Sequence, residues 1–131
     1  MMIEQTELIV TEWNYFPPPG FNETTDKILS FTSLDVMKKR APTKKGIACR
    51  FTCYFVIGQE KILDYVAEDS YIIDLPDVID KHELVRMIRN SFSKFKDKFD
   101  LRKLGTILQD RTLAPLEESS INLDAILPLL V

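Results

Sequence analysis

The sequence predicts an α+β protein, a four-stranded antiparallel sheet followed by helices packed on one of its faces, and three observations carry that prediction. Every odd position from Ile47 to Ile57 is apolar while Arg50 and Thr52 intervene, the period of a strand with one buried face. After the turn chemistry of Gly58-Gln59-Glu60-Lys61, the residues Leu63, Tyr65, Ala67, Tyr71, Ile73 and Leu75 resume the odd-numbered face, so the two runs form a long hairpin. Beyond Pro76 the period changes. Leu84, Ile88, Phe92, Phe95 and Phe99 recur at three- and four-residue spacing, which makes residues 80–99 one amphipathic helix, with Asp80 as its N-cap and Glu83 three residues on.

The remaining elements follow in chain order. Residues 3–16 carry Leu8, Ile9, Val10, Trp13, Tyr15 and Phe16 with irregular alternation, the pattern of a bulged or edge strand. Pro17-Pro18-Pro19-Gly20 ends it, because a triple proline cannot join a sheet ladder, and residues 17–25 form a long crossover. Residues 27–40 are rich in Ile, Leu, Phe, Thr and Val and form the next strand, closed by the polar stretch 41–46. Past the long helix, residues 101–108 read as a shorter second helix interrupted near Asp100 or Gly105. Asn122 caps a final helix carrying Leu123, Ile126 and Leu127, which Pro128 bends or ends. No repeat and no break in composition divides the chain, so residues 1–131 are read as a single domain.

Composition narrows the function classes. With 45% apolar and 28% charged residues over 131 positions, the chain has the profile of one packed domain. Its longest apolar run covers residues 125–131, far short of the roughly 20 residues of a membrane-spanning helix. The first residues include Glu4 and Glu7 where a signal peptide carries basic side chains, so a cytoplasmic location without membrane insertion is expected. Cys49 and Cys53 lie on one strand about 13 Å apart, and a disulfide needs Cα atoms within about 7 Å. They read as core thiols, and with His82 as the only histidine no zinc ligand set forms.

The search for catalytic chemistry returns no catalytic residue, no metal ligand set and no cofactor motif. His82 sits between Lys81 and Glu83 on a charged helix surface, no serine lies in a Gly-x-Ser-x-Gly setting, and the four glycines are scattered. Asp64, Glu68, Asp69, Asp74, Asp77 and Asp80 read as a solvated face; the functional alternative is a negative patch, centred on Asp64 and Glu68, that selects a basic partner. Residues 81–103 hold eight Lys or Arg against Glu83, Asp97 and Asp100. A pI of about 5.2 and the absence of an interleaved aromatic motif nevertheless argue for a solvated helix face and against nucleic acid.

Two apolar features remain. Trp13, Tyr15, Phe16 and Phe21 surround the triple proline, and two readings stand: a hydrophobic lid over the core, or a groove for extended polypeptide. Tyr54, Val56, Ile62, Val66 and Ile72 fall opposite the odd-numbered core face and form an apolar strip, which predicts self-association as a dimer or tetramer.

The order of elements resembles the SecB protein-export chaperone family, as a divergent member: four strands with a proline-containing crossover after the first, a long helix, a loop and a terminal helix. The most specific local likeness is Leu113-Ala114-Pro115 followed by Ile121-Asn122-Leu123-Asp124-Ala125-Ile126-Leu127, similar to the family's Leu-Ala-Pro segment leading into an Asn-Phe-Asp-Ala-Leu helix start, with extra residues at 116–120. The resemblance implies a molecular chaperone or holdase that binds unfolded, non-native polypeptide without ATP, with Trp13, Tyr15, Phe16 and Phe21 as client-binding residues in an oligomer. Two features depart from the family. Leu75-Pro76-Asp77-Val78-Ile79-Asp80 replaces its Cys- and Pro-rich lead-in to the long helix, and the acidic C-terminal tail that helps dock the motor SecA is missing. SecA is therefore a doubtful partner, and protection of an antitoxin in a toxin–antitoxin system joins protein export as an implied role. The competing reading is an oligomeric scaffold with one fixed protein partner.

Overall fold

The computed structural model describes residues 3–21, 27–40, 44–74, 79–117, 119 and 121–130. Part of the expected crossover (22–25), of the connection at 41–46, and Leu75, Pro76, Asp77 and Val78 lie outside the described residues. Strands β1 (Ile3–Gln5), β2 (Ile9–Tyr15), β3 (Ile28–Arg40), β4 (Lys44–Ile57) and β5 (Glu60–Asp74) precede helix α1 (Lys81–Arg102), a one-turn helix α2 (Leu123–Ile126) and a 3-10 helix (Leu127–Leu130). They form one antiparallel sheet in the order β1-β5-β4-β3, with β2 also on β5.

The four strand positions are those the alternation predicts, and the first is filled in two pieces. Gln5 faces Tyr71 and Ile9 faces Glu68, so the chain spends one extra residue between β1 and β2, and a second slip falls between Val10 and Glu12. A slip of one residue exchanges the faces of a strand. Ile9 therefore points outward and is 63% exposed, whereas Trp13, opposite Tyr65, and Tyr15, opposite Leu63, point inward. The bulge at Thr11 is what turns both rings toward the core.

The odd-numbered face of β4 and β5 is the core, as the alternation requires: Ile47, Cys49, Phe51, Cys53, Phe55, Leu63, Tyr65, Ala67, Tyr71 and Ile73 are all buried. Helix α1 covers them with Leu84, Met87, Ile88, Phe92, Phe95 and Phe99. Its rings interleave with the sheet: Tyr65 stacks on Phe95 at 4.1 Å and Phe55 on Phe99 at 5.4 Å, and the Tyr65 hydroxyl donates to the Phe95 carbonyl at 2.8 Å. Burial pushes the Cys49 thiol up to about 12 and the Cys53 thiol up to about 11, so both stay protonated core groups, and both are free.

Four local expectations are corrected. Asp69, read with the solvated carboxylates, is on the core face and fully buried. It survives there because it is neutralised and fully bonded, accepting from Ser91 Oγ at 2.8 Å, Gln5 Nε2 at 3.0 Å and Lys94 Nζ at 3.1 Å. Ile62, placed on the outward strip, is buried within the chain at 1% exposure. A β4–β5 register shift sets Phe55 against Leu63 but Val56 against Lys61, and makes Ile62 the extra, inward residue. The second helix over 101–108 is not formed. Helix α1 runs on to Arg102, and Gly105 at φ +80° starts a turn region closed by side chains, with Thr106 Oγ1 donating to the Lys103 carbonyl at 2.6 Å. The final helix is shorter than predicted: Asn122 caps it by accepting from the Ala125 N–H at 3.2 Å, and it tightens to 3-10 geometry at Leu127, one residue ahead of Pro128. The Asp80 cap forms as read, accepting from the Glu83 N–H at 2.8 Å.

Candidate functional site

Of the four crossover aromatics, Trp13, Tyr15 and Phe21 are half-buried against the core and Phe16 is exposed. Trp13 is half-buried, its edge on the Tyr65 ring at 5.2 Å, with the Arg102 guanidinium 5.9 Å from its own ring. Tyr15 is also half-buried, and its hydroxyl accepts from the Ile107 N–H at 3.1 Å, fastening the end of β2 to the loop after α1. These two rings roof the core. Phe16, whose N–H is held by the Ile62 carbonyl at 2.8 Å, leaves its ring 54% exposed. Phe21, after the left-handed Gly20 at φ +71°, lines a cavity of about 230 Å³ with Ile28, Ile107, Asp110 and Arg111.

That cavity opens a series along the inner side of β3. The next, about 260 Å³, lies between Ser30, Thr32 and Phe92 on one side and Ala114, Pro115 and Leu116 on the other. A third, about 280 Å³, shares Thr32 and Leu116 and continues to Leu34, Ile121 and Ile126. The far wall is thus the segment between α1 and α2, including the Leu113-Ala114-Pro115 motif, which sequence reasoning valued only as a likeness. Leu116 and Ile121, apolar residues flanking the polar stretch 117–120, were the available signal. Buried lysines hold the segment and the chain beyond it: Lys103 Nζ donates to the Arg111 carbonyl at 2.5 Å, and Lys45 Nζ to the Leu130 carbonyl of the closing 3-10 helix at 2.7 Å.

The outer face of the sheet carries no helix among the described residues. Tyr54 and Val56 sit there at one corner beside Phe31 and Leu29, which sequence reasoning missed; Phe31 stacks on Tyr54 at 5.0 Å and Lys61 Nζ stands 5.1 Å over the Tyr54 ring. Val66 follows, half-buried, opposite Thr52. Ile72 lies at the far end beside Gly46, whose missing side chain helps leave a cavity of about 270 Å³, and a charged row separates it from the corner. In that row Glu68 accepts from Lys39 at 2.6 Å and Arg50 at 3.2 Å, and the Lys39 hydrogen bond chiefly holds its carboxyl below the ordinary range. Asp64 pairs with Lys61 at 3.0 Å. Both acids of the predicted patch therefore already face cations of their own chain.

This architecture has a solved counterpart. The SecB-like chaperone Rv1957 of Mycobacterium tuberculosis, in complex with a ChAD peptide from the Rv1956 HigA1 antitoxin, matches over 87% of this chain and 90% of that chain, at a TM-score of 0.55 and 12% identity. The fold is SecB-like. A protein of unknown function from Streptococcus agalactiae also matches, over 89% of this chain and 98% of that one, at a TM-score of 0.42 and 15% identity. No protein-family model matches the sequence, and no curated protein matches it. On this SecB-like sheet the cavities along β3, with Phe21 at their first end, lie on the helix-bearing side, apart from the apolar corner of Leu29, Phe31, Tyr54 and Val56. Among the described residues no helix is long and apolar enough to cross a membrane, and no group of three His, Cys, Asp or Glu side chains is placed to hold a metal ion.

Proposed function

We propose that the chain, as a single SecB-like domain, is a chaperone or holdase that binds non-native polypeptide without ATP, with the exposed Phe16 and the cavity-lining Phe21 as its contacts and Trp13 and Tyr15 as their support. The observation that carries this reading is the series of cavities along β3, beginning at Phe21, on a fold shared with a peptide-bound chaperone, with Phe16 54% exposed at the end of the neighbouring strand β2. Exposed large apolar groups beside a concave surface serve burial of a ligand's apolar side chains. The peptide bound to the mycobacterial protein comes from an antitoxin, which favours antitoxin protection over general export as the pathway. The protein works in the cytoplasm, as a homo-oligomer joined through its sheets, and as a binding protein and not an enzyme.

Aggregation of a chemically denatured model client tests the reading. The expected result is suppression at stoichiometric amounts, reduced by Phe16→Ala with Phe21→Ala; no suppression at excess would sink it. A second reading, a scaffold with one fixed partner, draws on the uncovered corner of Leu29, Phe31, Tyr54 and Val56. It predicts that Phe31→Ser abolishes assembly while leaving suppression absent in both proteins.

A further inference from the structure

The two edges of the sheet are built differently. The β1/β2 edge is interrupted at residues 6–8 and bulged at Thr11, devices that keep foreign strands from pairing. Strand β3 has neither. It runs 13 residues in unbroken register against β4 alone, and among the described residues no backbone hydrogen bond reaches residues 29–33 from any other element. All five of those residues are exposed, on both faces, with Leu29 at 45% and Phe31 at 48%, and no charge occurs from Ile28 to Leu34.

Resting on the polypeptide-binding reading above, we propose that the free edge of β3 is a rail on which an extended client segment adds as a further strand. Alternate side chains of an added strand would fall on the two faces of the sheet. On the outer face they meet Leu29 and Phe31. On the inner face they lie beside Ser30 and Thr32, whose small side chains leave the cavities of about 260 and 280 Å³ open in front of Leu116.

The cavities also choose the occupant. A second copy paired antiparallel about Phe31 would set Ser30 against Thr32 of the other copy, and side chains that small leave both cavities empty. A foreign segment with large residues at alternate positions fills them, its apolar groups meeting Phe92, Leu116 and Ile126, with Glu117 and Asn122 as polar members of the same linings. The rail accordingly selects about five to seven residues of client with apolar groups at every second position, no charge and no proline.

The test uses the full chain and a fluorescein-labelled nonapeptide alternating leucine or phenylalanine with threonine. Two further versions carry N-methyl groups on the amides of one edge or of the other, which removes donors without altering side chains. The expected result by fluorescence anisotropy is that one methylated version loses roughly tenfold or more in affinity while the other binds as the parent does. Hydrogen exchange should slow at alternate amides within residues 28–34 when the parent peptide is added. Ser30→Lys with Thr32→Lys, at exposed positions, should weaken the parent peptide to a similar degree with the urea midpoint retained. Equal binding of all three peptides with unchanged β3 exchange would overturn the rail and leave the crossover groove as the client site. Failure of the parent peptide to bind would overturn both. A variant that loses self-association while keeping its peptide affinity would give the edge to a second copy and overturn the client assignment.

Discussion

The hydroxyl of Tyr15 and the backbone N–H of Ile107 meet at 3.1 Å, so the last residue of β2 and the loop after α1 are joined by a bond spanning 92 positions of sequence. Tyr15→Phe removes only this bond and keeps the ring. The expected cost is about 1 kcal/mol of unfolding free energy, with faster hydrogen exchange confined to the loop after α1. A uniform rise in exchange across the sheet would show that the bond does more than hold the loop.

Trp13 and Phe16 are three positions apart and should respond oppositely to truncation. Trp13→Ala opens the roof over Tyr65 and Phe99 and should cost about 2–3 kcal/mol, somewhat below a fully buried ring. Phe16→Ala should cost about 1 kcal/mol or less and act on client affinity instead. Urea unfolding of each variant beside its affinity for an unfolded, labelled peptide measures both. Equal destabilisation by the two would assign Phe16 to the roof as well.

Asp69 holds β1 to α1 through Gln5, Ser91 and Lys94. Asp69→Ala removes the acceptor shared by Lys94, Gln5 and Ser91, each of which keeps a second partner, and should cost about 1–3 kcal/mol in urea unfolding, whereas Asp69→Asn, which keeps an acceptor, should cost less. A loss under about 1 kcal/mol for alanine would mean that the N-terminal strand closes over the gap by itself.

Glu68 supplies a pH dependence whose sign is set by its lowered carboxyl. The cause is first the hydrogen bond from Lys39, opposed by burial and reinforced by Arg50. A depressed folded-state value means the contribution is complete above the ordinary value of 4.5 and is lost as pH falls through the lowered one. With both cations well exposed, it amounts to about 1 kcal/mol or less. The difference in urea midpoint between Glu68→Gln and the parent should be full at neutral pH and shrink below pH 4.5. A difference that stays constant on acidification would refute the ion-pair account.

The elements that could be read from the sequence are those whose pattern is local. Strands β4 and β5 declare themselves because the odd positions are apolar from Ile47 to Ile57 and, Asp69 excepted, from Leu63 to Ile73, and α1 because its apolar positions recur at helical spacing. What escaped was set by partners far along the chain. Asp69 could not be placed in the core without knowing that Ser91, Lys94 and Gln5 converge on it from two other elements. Ile62 was misplaced because a single extra residue in a hairpin exchanges faces without any mark in composition. The crossover cluster was visible as a cluster, but its division into roofing and open rings depends on the Thr11 bulge and on where the chain leaves β2. The groove's far wall left only Leu116 and Ile121 as a trace, since Ala114, Pro115, Leu116, Ile121 and Ile126 form it by returning across β3.

The unlike edges of the sheet bear on growth into fibrils. Open-ended polymerisation through sheets needs each copy to offer two compatible rims, one to receive and one to extend. Here β3 can receive, but the opposite rim is broken twice and cannot pass the register on. Any strand that lands on β3 leaves only the interrupted β1/β2 rim exposed, which gives no continuous register for a further strand to follow.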